Sequence, residues 1–119
     1  MMAHADVFLT VYSTMVVEAA IHDRPIVSVC IDADRGWDRP RKFSLRLTEI
    51  GNWPTHQRFR AAGAGEVAET AGSLAQAINR ALDDPAAARD ARRSFIEREV
   101  TFTDGQAAQR TAEFVLSLV

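Results

Sequence analysis

The chain has 119 residues, a formal net charge of −2, and a composition that is 47% apolar and 25% charged. These values are typical of a single soluble domain with a modest hydrophobic core. They argue against general binding to nucleic acids or membrane surfaces, which needs an excess of basic side chains. The sequence contains no run of about 18 apolar residues, so it predicts no membrane-spanning helix.

The cysteine content and the N-terminus indicate a cytoplasmic protein. Cys30 is the single cysteine, so no disulfide can form within the chain, and its apolar surroundings predict a buried thiol. The first residues, "MMAHADVFLTVYS", lack the basic segment and the long apolar core of a signal peptide. Abundant arginine and alanine are typical of a GC-rich bacterial genome.

The first third of the chain predicts a β-α-β unit. Residues 7–11 and 26–31 are short apolar runs, as expected for parallel strands buried on both faces. The helix between them is expected to begin at Ser13 or Thr14 and to end before Pro25. Its predicted apolar positions are Met15, Val16, Ala19 and Ala20.

Residues 32–64 form a long region with little periodicity, in which residues 55–59 are the best candidate for a helix. A third short strand is predicted over residues 65–70. After it, Thr70 or Ser73 can cap a helix whose apolar positions follow the 3.6-residue period. Asp84 and Pro85 predict the start of the next helix, which reaches Glu99 with a charged, solvated face and with Ala88, Ala91 and Phe95 inward.

A last helix should follow Asp104 and Gly105 and carry an apolar stripe from Ala108 to Val119. The complete order predicts an α/β fold, Rossmann-like and three-layered, with a small and mostly parallel sheet of about three strands and a helical C-terminal half. Such a small sheet leaves an edge bare. We therefore expect residues 1–119 to form a single domain that is part of a larger one. We also expect a second copy of the chain, or a partner chain, to cover the bare edge.

The residues that carry the functional hypothesis are Ser13, Thr14 and Glu18. Backbone N–H groups and hydroxyls at the start of a helix after a parallel strand suit a phosphate group. A carboxylate one turn later suits a ribose diol. The alternative is that Ser13 only caps the helix and Glu18 is an ordinary surface residue, since such caps are common.

Other candidates have simpler structural interpretations. Asp32, Asp34 and Asp38 follow a strand and could bind Mg²⁺, but the arginines between them favour local ion pairs. The basic run 39–42 could face a diphosphate, or could be plain surface. No zinc-ligand spacing, nucleophile elbow or P-loop is present in the sequence.

Simpler structural interpretations also apply to His22 and to the two tryptophans. His22 stands at a helix C-terminus, where an imidazolium interacts well with the helix dipole, and this is favoured over catalysis. Trp37 and Trp53 could stack on a base or a sugar, but anchoring of the long region against the sheet is the safer interpretation.

The stretch "ADVFLTVYSTMVVEAAIHDRPIVSV" resembles the nucleotide-binding segment of GT-B-type glycosyltransferases and the related CDP-glycerol-type polymer transferases. The residues that match the pattern of this segment are Ala5, Asp6, Ser13, Thr14, Glu18, Ala19 and Pro25. The closing "D-G-x-x-x-x-R" helix of these proteins is matched by Asp104, Gly105 and Arg110. The resemblance covers most of the chain, although its specificity is concentrated near the N-terminus.

The resemblance implies a donor site for a nucleotide sugar or a similar activated nucleotide, with Ser13 and Thr14 at the pyrophosphate and Glu18 on the ribose. It implies no bound metal and no cofactor. No catalytic residue is assigned, because the segments that carry the general base and further basic residues in these proteins have no counterpart here. The chain is expected to bind the donor and to be catalytically incomplete alone. The alternative hypothesis is a non-catalytic α/β module that acts through association.

Overall fold

The computed structural model describes residues 2–32 and 47–118, apart from the side chain of Thr48. A short 3-10 helix at Met2–His4 precedes the first strand. The strands are β1 (Phe8–Thr10), β2 (Ile26–Val29) and β3 (Glu66–Ala68). The helices are α1 (Met15–Ile21), α2 (Leu47–Ile50), α3 (Pro54–Ala62), α4 (Ala71–Asp83), α5 (Arg89–Glu99) and α6 (Ala107–Leu116).

The strands form one parallel sheet in the order β1-β2-β3. Phe8 lies opposite Ile26, and Ser28 lies opposite Val67. The α/β class, the parallel sheet and the mostly helical C-terminal half are thus confirmed. All three strands point the same way, so their carboxyl ends meet at one edge of the sheet.

The hydrophobic core lies on both faces of the sheet. On one face, Ile26 packs with Phe59 and Phe95, which come from α3 and α5. On the other face, Val27 packs with Ala68 and with Ala77 of α4. Neighbouring residues of β2 point to opposite faces, and Ile26, Val27 and the polar Ser28 are all buried.

Two details of the first β-α-β unit differ from expectation. Strand β1 is not buried on both faces, because Leu9 is 48% exposed. It is an edge strand, so its side chains are covered less completely than those of β2. Met15 is exposed as well. The apolar face of α1 begins at Val16, one residue later than predicted.

Helix α3 confirms the helical candidate at residues 55–59. It begins with a proline in its first turn, where the missing N–H costs no hydrogen bond. It ends at Gly63, whose φ of 63° is the left-handed conformation that glycine adopts most readily. The long region 32–64 therefore contains α2 and α3 in its described part.

Helix α4 begins as predicted, since Thr70 and Ser73 form a reciprocal capping box. Helix α5 does not begin at Pro85, and this prediction was wrong. The backbone N–H of Ala87 binds the carbonyl of Asp84, and that of Arg89 binds the carbonyl of Ala86. These contacts close successive turns, and regular α-helix starts only at Arg89.

The prediction that the charged face of α5 is solvated also needs correction, because Arg92 is only 2% exposed. Its guanidinium donates to Asp23 Oδ1 at 2.7 and 2.9 Å and to the carbonyl oxygen of Pro85 at 2.9 Å. A partner so far away in sequence cannot be read from the spacing within the helix.

Helix α6 has no buried residue among those described, and Phe114, Val115 and Leu116 are exposed. Coverage of the sheet edge by a second copy or a partner chain stays a prediction. Val119, the end of the predicted stripe, lies outside the described residues. No helix in the described ranges is long and apolar enough to cross a membrane.

Candidate functional site

Ser13 and Thr14 lie in the turn between β1 and α1, at the carboxyl edge of the sheet. The Ser13 hydroxyl accepts a hydrogen bond from the N–H of Met15 at 3.2 Å. Thr14 is the N-cap residue by backbone position, but its side chain makes no capping hydrogen bond. Ser13 therefore starts the helix, as the simpler interpretation expected, while the Thr14 hydroxyl has no such structural task.

Glu18 follows Thr14 by one helical turn, so the two side chains share a face of α1. Both residues are exposed, whereas Val16 and Ala19 on the other face are fully buried. The fold thus presents a hydroxyl and a carboxylate together on the outer face of α1, beside the half-buried Ser13.

Tyr12 links this turn to the rest of the sheet edge. Its φ is +37°, which is uncommon for a residue with a side chain. The phenol oxygen contacts Cys30 Sγ, and the ring meets His56 edge-on with 4.7 Å between centroids. A methyl group at Gly51 would overlap the phenol. The Tyr12 side chain therefore packs against Cys30, Gly51 and His56.

Arg60 of α3 contacts the same group of residues. Its Nη2 lies 3.3 Å from the Tyr12 hydroxyl, 3.7 Å from Cys30 Sγ and 3.1 Å from Glu69 Oε1. These three residues follow β1, β2 and β3 respectively. One guanidinium therefore gathers the carboxyl ends of all three strands, the edge at which α/β proteins bind ligands.

His56 lies one turn before Arg60 on α3 and is 5% exposed. Its Nδ1 is buried and has no hydrogen-bond partner among the described residues. Burial lowers the pKa of His56, and the neighbouring Arg60 charge lowers it further, against a hydrogen bond with the Tyr12 backbone that raises it. At neutral pH the imidazole is uncharged.

Among Tyr12, His56 and Arg60, the side chain that carries a positive charge at neutral pH is Arg60. Burial, then the contact with Cys30, raises the pKa of the Tyr12 phenol, which is therefore protonated at neutral pH. The carboxylate of Glu69 is the acidic partner of Arg60, and its side chain is 61% exposed. The predicted buried thiol of Cys30 is confirmed, with 1% exposure.

The acidic trio is described only in part, since Asp34 and Asp38 lie outside the described residues. Asp32 Oδ1 accepts a hydrogen bond from the N–H of Leu47 at 2.6 Å, which ties the end of β2 to the start of α2. Across residues 2–32 and 47–118, no group of three or more potential ligands is arranged to hold a metal ion.

Two of the remaining candidates, Trp37 and the basic run 39–42, lie outside the described residues. Trp53 does not anchor against the sheet as predicted, because its side chain is 51% exposed at the start of α3. His22 is the C-cap residue of α1, at the position expected for it.

Sequence reasoning missed Tyr12, His56, Arg60 and Glu69 as members of one cluster. The available signals were the one-turn spacing of His56 and Arg60, within and just beyond the predicted helix 55–59, and the position of Glu69 near the end of the predicted strand 65–70. Neither signal says that the two segments converge on Tyr12.

A family-level match complements this geometry. The sequence model of the family described as "CDP-Glycerol:Poly(glycerophosphate) glycerophosphotransferase" matches residues 1–117. No curated protein matches the chain, and no solved structure does.

Proposed function

Because this chain belongs to the CDP-glycerol:poly(glycerophosphate) glycerophosphotransferase family, we propose that it binds the CDP-glycerol donor through Ser13, Thr14 and Glu18. In this proposal the two hydroxyls contact the donor's phosphate oxygens, and the Glu18 carboxylate accepts hydrogen bonds from the ribose hydroxyls. The family match over residues 1–117 is the observation that carries the proposal.

The arrangement of the described residues supports this assignment. The turn with Ser13 and Thr14 follows a parallel strand at its carboxyl end, where ligands bind in open α/β sheets. Thr14 and Glu18 are exposed on one face of α1, so a single ligand can reach both. A ribose diol supplies the donors that a carboxylate needs.

The family's reaction determines which groups such a site must bind and stabilise. An acceptor hydroxyl oxygen bonds to the phosphorus that carries glycerol, the bond from that phosphorus to the bridging oxygen breaks, and CMP leaves. The acceptor proton passes to a base, for which no described residue is assigned. Residues that hold the donor phosphates contribute by positioning the group and by stabilising charge on the departing CMP.

The test is calorimetric titration of the chain with CDP-glycerol. Thr14→Val and Glu18→Gln should each raise the Kd by about tenfold, the expected loss for a hydrogen bond to a charged group. Thr14→Val is the cleaner change of hydroxyl, because Thr14 makes no side-chain capping bond. Ser13→Ala also removes the bond to Met15 and needs a parallel unfolding measurement.

Glu97→Gln, at an exposed position of α5, is the matched control for Glu18→Gln and should leave the Kd unchanged. Unchanged affinity in both Thr14→Val and Glu18→Gln would reject these residues as the donor site. Absence of any CDP-glycerol binding by the wild-type chain would reject the proposed function itself.

A further inference from the structure

We propose that Arg60 is a further donor-binding residue, whose guanidinium contacts the donor's phosphate oxygens while Glu69 and Tyr12 hold it in place beforehand. This inference rests on the proposed function for the identity of the ligand. The phosphate-binding property of Arg60 can be measured separately from it.

The position of Arg60 is the first argument. Its Nη2 contacts the residues that follow β1, β2 and β3, namely Tyr12, Cys30 and Glu69. Tyr12 directly precedes Ser13 in the turn before α1. The guanidinium therefore lies at the carboxyl edge of the sheet and contacts the residue next to the proposed donor site.

The donor capacity of the guanidinium is the second argument. All three contacts use one nitrogen, Nη2, whereas a guanidinium has five N–H donors in a planar fork. That fork matches phosphate oxygens in a bidentate manner. Arg60 can thus keep its contact with Tyr12 and still offer donors to a phosphate.

The surroundings of Arg60 are the third argument. Its side chain is 34% exposed, so a ligand can reach it, while partial burial strengthens its interaction with an anion. Arg58 on the same helix is 54% exposed and pairs with Glu99. His56 is neutral and Tyr12 is protonated, so within residues 2–32 and 47–118 the acidic partner of Arg60 is Glu69.

Glu69 then has a definite role as the internal counter-ion. Its carboxylate is 61% exposed and lies 3.1 Å from Arg60 Nη2. An incoming phosphate is repelled by this carboxylate, whereas the neutral amide of a glutamine can still accept the hydrogen bond that holds Arg60. Removing the Glu69 charge should therefore tighten phosphate binding, whereas a purely structural ion pair predicts no gain.

The experiment is titration of the complete chain with inorganic pyrophosphate and, separately, with CDP-glycerol. Arg60→Gln should raise the Kd for both ligands by about tenfold or more. Glu69→Gln should lower both Kd values by a few-fold; it leaves the Glu69 backbone N–H on Ser73 Oγ intact. Arg58→Gln, on the same helix, is the matched control and should bind like wild type.

The outcomes separate this inference from the proposed function. Equal affinities for wild type, Arg60→Gln and Glu69→Gln overturn the Arg60 assignment while CDP-glycerol binding stands. Arg60-dependent binding of pyrophosphate without binding of CDP-glycerol upholds the phosphate contact and rejects the proposed donor. No binding of either ligand overturns both. Glu69→Gln keeps the Arg60 side chain, so it gives an answer even if Arg60→Gln fails to fold.

Discussion

At the scale of single residues, His56 shows how the site constrains stability. Its ring is 5% exposed, packs edge-on against Tyr12, and has Nδ1 without a partner among the described residues. A charged imidazole here would lose hydration and lie near the Arg60 guanidinium, so burial first, and Arg60 in addition, lower its pKa. The native state therefore holds His56 neutral.

The consequence is a pH-dependent free energy of unfolding. The unfolded His56 takes up a proton near its ordinary pKa of about 6.5, whereas native His56 does so only at lower pH. Below that value the unfolded state binds more protons, so stability falls as the pH falls, by at most about 1.4 kcal/mol per pH unit from this group. Above it, both states are neutral and the effect vanishes.

Urea unfolding of wild type and His56→Gln between about pH 7.5 and about pH 5.5 measures this contribution. The wild-type free energy should fall more steeply with acidification than that of His56→Gln. Parallel profiles for the two proteins would show that native His56 accepts its proton as readily as the unfolded chain.

At the scale of elements, Gly65 governs how β3 joins the sheet. A methyl group at this position would lie 2.5 Å from the carbonyl oxygen of Ile26 and 2.6 Å from the Phe59 ring. The first neighbour is backbone of the central strand and cannot move aside cheaply. The absence of a side chain therefore lets β3 and α3 both approach β2 closely.

Gly65→Ala should lower the free energy of unfolding by about 2 kcal/mol, as expected for overpacking in a tight core. Gly72→Ala is the matched control. A methyl at Gly72, in α4, meets only Thr70 Oγ1 at 3.9 Å, so better helix propensity should stabilise the protein by roughly 0.5 kcal/mol. Thermal and urea unfolding of both variants measure the difference, and equal effects would refute the close approach at Gly65.

At the scale of the whole molecule, Asp23 joins the first β-α-β unit to the C-terminal helices. It lies in the turn after α1 with a φ of +51°, and its carboxylate accepts hydrogen bonds from Arg89 and from the buried Arg92 of α5. Burial opposes ionisation of this carboxyl, but the two arginines outweigh it and hold its pKa below the usual value. These contacts thus hold α5 against the turn that follows α1.

Asp23→Asn should lower the free energy of unfolding by roughly 2 kcal/mol, because it leaves the Arg92 charge buried without a counter-ion. That is less than the cost at a fully buried pair, since Asp23 is 38% exposed. Asparagine tolerates a positive φ, so backbone strain is not added.

Asp104→Asn breaks the exposed pair with Arg110 and is the control, with little effect expected on urea unfolding. A loss of stability in Asp104→Asn as large as in Asp23→Asn would contradict the special role of the buried partner.

The sequence alone determined the features that depend on local physics. Short apolar runs, helix caps and the X-Pro boundary predicted the parallel β-α-β unit, the helix at residues 55–59 and a helix start at Thr70 or Ser73, because each signal arises within a few residues. The resemblance carried by Ser13, Thr14 and Glu18 identified the family. These residues are near neighbours in sequence and lie together in the turn before α1 and its first turn.

Only the tertiary structure decided which distant residues meet. Tyr12 and Arg60 are 48 positions apart, and Asp23 and Arg92 are 69 apart. Their contacts exist because three parallel strands end at one edge and α5 packs against α1 and the turn that follows it. Burial of Arg92, the later start of α5 and the convergence on Arg60 follow from this assembly, since a charged side chain is buried only where its partner is brought to it.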